Sequence, residues 1–342
     1  MLIIGCVVVF LAARVNADVN ADLLLEAAAG DTTRGADATK PVAWVEGAAW
    51  HDARVALDLA RAPPLGCCPA AVAVYGSRYA GVEFRCCSHR LDGIRKLRPV
   101  GGVTWAEYLL AAAENNSTSS SVLLTGDSLS EQHFVALLCL AWAEGIAVDG
   151  PRSVAHYGIF DDWGAVVADR VEVTFLRGDK ISPKPIIEGQ KYASPNHVIL
   201  GGWHHGGTQN LPAFFAAVSN VRRGKSTLVV EALPNHFPDG DFRSKSSVVS
   251  RINGAVCNDV SSDQGGDPNV NAGLPAMLRN LSGFQLLRVE HLYAHRGEAH
   301  VGPIPASITI GPQGRDCLHW CVAPGVLDAL AQVTLAHVVL SL

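Results

Sequence analysis

Val122-Leu123-Leu124-Thr125-Gly126-Asp127-Ser128-Leu129-Ser130 is a short apolar run that stops at a glycine and passes into apolar positions at helical spacing, Phe134, Leu137, Leu138 and Trp142. Residues 122–125 read as a strand buried on both faces, because no polar residue alternates with the apolar ones. Ser130 is the expected cap of the following helix. Further strands are expected over 171–176, 197–200, 227–230 and 284–289, and helices over 211–221, 274–281 and 326–340. Strands alternating with helices predict an α/β fold with a mainly parallel sheet covered on both faces. The last helix is read as a covering helix and not a membrane anchor, since Asp328, Gln332 and His337 interrupt its apolar side.

The chain has 342 residues, 49% apolar and 17% charged, enough for a large core and too apolar for a disordered chain. The 33 glycines show no three-residue period, which excludes collagen. The net charge of −5 and small basic clusters argue against a nucleic-acid partner. No interior apolar run is long enough for a multi-span membrane domain.

The N-terminal run 2–13 has the length of a signal-peptide core, and Val15-Asn16-Ala17 follows it with a small-residue cleavage pattern. Residues 1–17 are therefore expected to be a signal peptide, with an uncleaved Golgi anchor or a buried N-terminal strand as the rivals. Removing Cys6 leaves eight cysteines: Cys67, Cys68, Cys86, Cys87, Cys139, Cys257, Cys317 and Cys321. An even number fits a disulfide framework, whose connectivity spacing does not give; reduced core thiols are the alternative. Sequons at Asn115, Asn116 and Asn280 fit the same route, through the Golgi lumen or to the outside. Residues 18–100 read as an irregular extension tied by disulfides, and 101–342 as the catalytic domain.

Polar residues cluster just after the strands, where ligands bind in an open α/β sheet. Gly126 lets the chain turn tightly before Ser128, and a helix start there aims free N–H groups at an anion. A nucleophilic serine needs a base, and the base an orienting carboxylate. Asp316-Cys317-Leu318-His319 supplies both, three residues apart and on one side if the segment is a helical turn. Cys317 and Cys321 are placed to staple that segment to the core. Trp203 and Trp320 offer faces that could stack on sugar rings, with core packing as the other reading. His204 and His236 complete the expected substrate-facing set. The histidines His204, His205, His295, His300 and His319 lack the spacing of metal ligands, so no metal site is expected.

Thr125-Gly126-Asp127-Ser128-Leu129-Ser130, Leu137-Leu138-Cys139-Leu140, Pro234-Asn235-His236-Phe237, Arg296-Gly297-Glu298-Ala299-His300 and Asp316-Cys317-Leu318-His319-Trp320-Cys321, with Pro324-Gly325-Val326 and Asp328 after it, stand in one order. Together they resemble the trichome birefringence-like proteins of the PC-esterase, SGNH/GDSL-like group, from about residue 60 to the end. The resemblance implies a three-layer SGNH-hydrolase-like fold and a polysaccharide O-acetyltransferase of the secretory pathway. In that reading Ser128 is nucleophile, His319 base and Asp316 orienter; the partners are an acetyl donor and a polysaccharide or oligosaccharide acceptor, with no cofactor. Three positions depart from the family pattern. Gly201-Gly202-Trp203-His204-His205 replaces NTGHW, whose Asn is expected to help the oxyanion, so the backbone N–H groups of Ser128, Gly201 and Gly202 are expected to hold it. Glu131-Gln132 stands for Arg-Asn, and Glu231-Ala232 for Arg-Thr. A carbohydrate acetylesterase with the same triad is the first rival reading, and an inactive polysaccharide-binding protein the second.

Overall fold

A computed structural model describes residues 68–75, 102–114, 120–157, 160–178, 182–187, 195–203, 210–222, 225–236, 257, 268–293, 300–304, 314–320, 322 and 326–340. In chain order these form α1 (Pro69–Tyr75), α2 (Trp105–Glu114), β1 (Ser120–Gly126), α3 (Ser128–Ala143), β2 (Val148–Tyr157), β3 (Phe160–Val167), β4 (Val171–Arg177), β5 (His197–Leu200), α4 (Leu211–Arg222), β6 (Thr227–Val230), α5 (Pro268–Leu278), β7 (Phe284–Leu287), α6 (Glu290–Tyr293), β8 (His300–Ile304), β9 (Gly314–Trp320) and α7 (Val326–Leu340).

Seven strands form one sheet in the order β2-β3-β4-β1-β5-β6-β7. The strands β4, β1, β5, β6 and β7 run parallel to one another, and β2 and β3 add an antiparallel edge. The fold is thus the expected α/β one, mainly parallel, with a mixed edge that residues 148–167 did not announce. Those residues carry polar and glycine interruptions and lack a continuous apolar run. Strands β8 and β9 pair separately.

Alternate residues of the central strands feed two cores. Val122, Leu124, Val173, Phe175 and Val230 join α1, α3 and α7 on one side. Leu123, Leu176, Val198, Leu200 and Val229 join α4 and α5 on the other. This makes three layers, because side chains along a strand point alternately to opposite faces. Helix α3 is buried almost all round, the signature of a helix enclosed by sheet and neighbouring helices. Helix α7 covers the same face, and its interruptions are buried with it: Asp328, Gln332 and His337. Among the described residues no helix is long and apolar enough to cross a membrane.

Helix α1 corrects one expectation: its residues Ala71, Val74 and Tyr75 belong to the main core, so this part of the N-terminal region is neither irregular nor peripheral. Cys68 bonds Cys139 of α3, and Cys257 bonds Cys317 of β9. Their sequence separations of 71 and 60 residues close long loops. On loop-closure entropy each stabilises by about 4 kcal/mol. Cys67, Cys86, Cys87 and Cys321 lie outside the described residues, as do Asn115, Asn116 and the 1–17 segment; Asn280 is exposed in a turn. Alkylating the unreduced protein and weighing it should leave Cys68, Cys139, Cys257 and Cys317 unlabelled, and Cys139→Ser should lower stability by about 2–5 kcal/mol. Labelled thiols at these four positions would contradict the bridges.

Three buried histidines make the fold acid-sensitive. Burial lowers His133 to about 3, burial and then the Arg222 charge lower His197 to about 4, and burial lowers His337 to about 4. The unfolded chain therefore binds protons that the folded chain refuses. Their contribution is complete above the ordinary histidine value of about 6.5 and is lost as pH falls toward 4, at about 1.4 kcal/mol per pH unit for each group. Chemical denaturation at pH 7.5, 6 and 5 should show stability flat above 7 and falling steeply below 6.

Candidate active site

The chain leaves β1 at the point where the strand order changes direction, with β4 on one side of it and β5 on the other. Strand carboxyl ends at such a point form a crevice. Gly126 closes β1, and a side chain there would run into the Gly201 carbonyl and the Ser130 hydroxyl. Asp127 caps α3: its Oδ1 accepts the N–H of Leu129 at 2.9 Å. This corrects the expected cap. Ser130 lies inside the first turn and is buried, because the helix begins three residues earlier than a cap at Ser130 implies.

Ser128 is the first residue of α3, half-buried, and its N–H has no helical partner at that position. Its Oγ lies 2.7 Å from Nε2 of His319. A hydroxyl donating to Nε2 leaves the imidazole proton on Nδ1, the side on which an orienting carboxylate acts.

His319 lies on β9, so the segment from Asp316 to His319 is a strand and not the expected helical turn. Between the pairs His300–Trp320 and Gly302–Asp316, one residue of β8 faces three of β9. The ladder thus bulges over 317–319. Bulges break strict side-chain alternation and re-aim residues beside active sites. The backbone of Asp316 is paired with Gly302 in β8; its side chain lies outside what is described.

The two glycines after β5 differ in role. The Gly201 N–H donates to the Thr125 carbonyl at 3.2 Å, so it extends the sheet and is not available to an oxyanion, contrary to expectation. Gly202 has φ +68°, and a Cβ there would run into the Asp127 carboxylate and approach the Asp127 nitrogen at 2.6 Å. Gly202 therefore lies directly against the turn that presents Ser128.

The tryptophans and His236 belong to the interior, which corrects their expected sugar contacts. Trp203 is 3% exposed; its indole N–H donates to the Val230 carbonyl at 2.7 Å, and its ring meets Phe214 and Phe215 edge-on. Trp320 is fully buried against His236, His300 and Tyr293. Buried rings have no face left for a sugar. His236 Nδ1 lies 2.6 Å from His300 Nε2, and His300 Nδ1 lies 2.9 Å from the His319 carbonyl. A carbonyl only accepts, so His300 carries its proton on Nδ1 and, when neutral, accepts at Nε2 from His236. His204, His205 and His295 lie outside the described residues. Among those described, no group of three or more His, Cys, Asp or Glu is arranged to hold a metal.

Both glutamates at the family's arginine positions are internal. Glu131 accepts the Trp163 indole N–H at 3.0 Å and pairs with Arg177 at 3.4 Å. Glu231 accepts the N–H groups of Val289 and Glu290 at 2.8 and 3.1 Å, and burial raises its pKa above the usual carboxylate range. In the sequence Gln132 stands out only as a departure from the family pattern. Its amide holds the backbone of Trp320, next to His319, and its position four residues after Ser128 was the available signal.

Because Gly202 and Gly201 meet different neighbours, their alanine variants should separate. Gly202→Ala should displace Asp127 and slow reaction of Ser128 by about 10²-fold, the scale of a misplaced reacting group. In Gly201→Ala the new Cβ would meet the Ser130 hydroxyl at 3.1 Å, a contact that a small shift relieves, and Val230 at an ordinary 3.7 Å. Its rate should stay within about threefold, in line with the small effect of a relievable contact. Rates of covalent labelling, with folding checked by thermal denaturation, decide this; equal effects would contradict the assignment.

Comparison with curated proteins finds no match. Residues 193–337 match the family model described as PC-Esterase, a GDSL/SGNH-like acyl-esterase family found in Pmr5 and Cas1p. The match contains Gly202, His236, His300, Asp316 and His319, and it begins after Ser128. A serine hydroxyl on an imidazole, at the carboxyl edge of a mainly parallel sheet, is the arrangement of an acyl hydrolase or acyl transferase. Residues 193–337 are thus similar to the PC-esterase family of GDSL/SGNH-like acyl esterases.

Proposed function

We propose that the protein is a polysaccharide O-acetyltransferase working through an acetyl-serine intermediate. The observation that supports this best is the 2.7 Å approach of Ser128 Oγ to His319 Nε2. His319 takes the Ser128 proton as the oxygen attacks the carbonyl of an acetyl donor. The N–H groups of Ser128 and Gly202 are the candidate donors to the oxyanion, since neither has a partner among the described residues. His319 returns its proton to the leaving group, and the acetyl ester remains on Ser128. A sugar hydroxyl then attacks that ester, with His319 again as base and Asp316 as its orienter. The disulfides favour an oxidising compartment, in accord with passage through the Golgi lumen or secretion.

The family description names an acyl esterase, which favours a second reading: water in place of the sugar, on the same residues. A panel of oligosaccharides incubated with the protein and an acetyl donor separates the two by mass. Acetylated sugar supports transfer; free acetate alone supports the esterase. The parent protein should be labelled by a fluorophosphonate, and Ser128→Ala should not. Asp316→Asn should fold and react roughly 10⁴-fold more slowly, as when the wrong imidazole tautomer is held. Either an unlabelled parent or a labelled Ser128→Ala would reject Ser128 as nucleophile; the first leaves a binding protein as the reading, the second a different nucleophile.

A further inference from the structure

We propose that Gln132 is a positioning residue that sets the distance between nucleophile and base. The proposal rests on the Ser128–His319 reading. Ser128 and Gln132 are four residues apart on α3, so they share one face of the helix, one turn apart. The upper position meets the ring of His319. The lower one meets the backbone of the next residue: the Gln132 amide N–H donates to the Trp320 carbonyl at 2.7 Å, and its Oε1 accepts the Trp320 N–H at 3.0 Å.

A glutamine side chain offers a donor and an acceptor in one plane, like a peptide edge. Gln132 therefore acts as a strand neighbour to Trp320, which itself pairs with His300 of β8 just past the bulge at 317–319. It is 1% exposed, so water does not compete for either bond. The His319 carbonyl is held separately, by the His300 ring that His236 braces. Two successive backbone units of β9 are thus held by buried side chains, one of them on the nucleophile's own helix. A slip of β9 by one residue would carry the imidazole about 3.3 Å away from Ser128, beyond proton-transfer reach.

The test compares fluorophosphonate labelling rates of the parent, Gln132→Met and Gln132→Glu from pH 5.5 to 8.5. The folded fraction of each is measured by thermal denaturation. Methionine fills a similar volume and makes neither bond. It should slow labelling of folded protein about 10²-fold at every pH, as a misplacement near 1 Å does. A glutamate carboxylate accepts but cannot donate, whereas a protonated carboxyl does both. Burial raises a carboxyl's pKa toward neutrality. The ratio of Gln132→Glu to parent should therefore be low at pH 8 and climb toward one as pH falls. Taking the ratio removes the titration of His319 common to both proteins.

A purely structural role would lower stability while leaving the labelling rate of the folded fraction unchanged. Folded Gln132→Met that labels at the parent rate overturns the proposal, as does a pH-independent ratio for Gln132→Glu; either variant decides it alone. A parent that does not label at all overturns the nucleophile reading and this proposal with it.

Discussion

Helix α3 brings Glu131, Gln132 and His133 into a nearly water-free interior, and the site depends on how those three are satisfied. Burying a polar group without a partner costs about 1–3 kcal/mol, and more for a charge. Each therefore reaches a different part of the fold. Glu131 meets Trp163 of β3 and Arg177 of β4, Gln132 meets Trp320 of β9, and His133 meets Thr334 of α7. Three consecutive residues on one helix thereby tie the antiparallel edge, the strand of His319 and the covering helix to the turn that holds Ser128.

The replaced family arginines follow the same logic. A glutamate at 131 brings a negative charge where the family pattern has a positive one, and Arg177 on the adjacent strand supplies the cation. Removing one partner of such a pair leaves an uncompensated buried charge, so residues 131 and 177 must change together. Glu231 is served mainly by the backbone: two N–H groups bond its carboxyl, and burial favours the protonated form. Both carboxyls are engaged inside the fold, so the departure has a packing consequence whatever it does for acceptor contacts.

Much was legible in the chain. The apolar runs at 197–200 and 227–230 and the final helix over 326–340 stand where their patterns put them, because a strand or helix enclosed on both sides needs little besides apolar residues. The pairing of Ser128 with His319 was likewise readable, from a nucleophile turn and a separate base segment in the expected order. Residues 148–167 were not legible, because an edge hairpin has one wet face and few apolar positions. The exposed reading of Trp203 and Trp320 failed for a related reason: composition does not tell a ring that lines a crevice from one that fills the core behind it.

The sequence by itself determined the α/β class, the buried strands, and the residue types able to transfer an acyl group. Local order carries that information, since strand and helix periodicity and turn chemistry are properties of neighbours along the chain. Only the tertiary structure decided that the segment from Asp316 to His319 is a bulged strand, that the Gly201 N–H belongs to the sheet while Gly202 packs on Asp127, and that Gln132 holds Trp320. Those outcomes depend on which backbone groups meet across 76 or 188 residues of chain, and a hydrogen bond's partner is set by that meeting and not by the residues beside it.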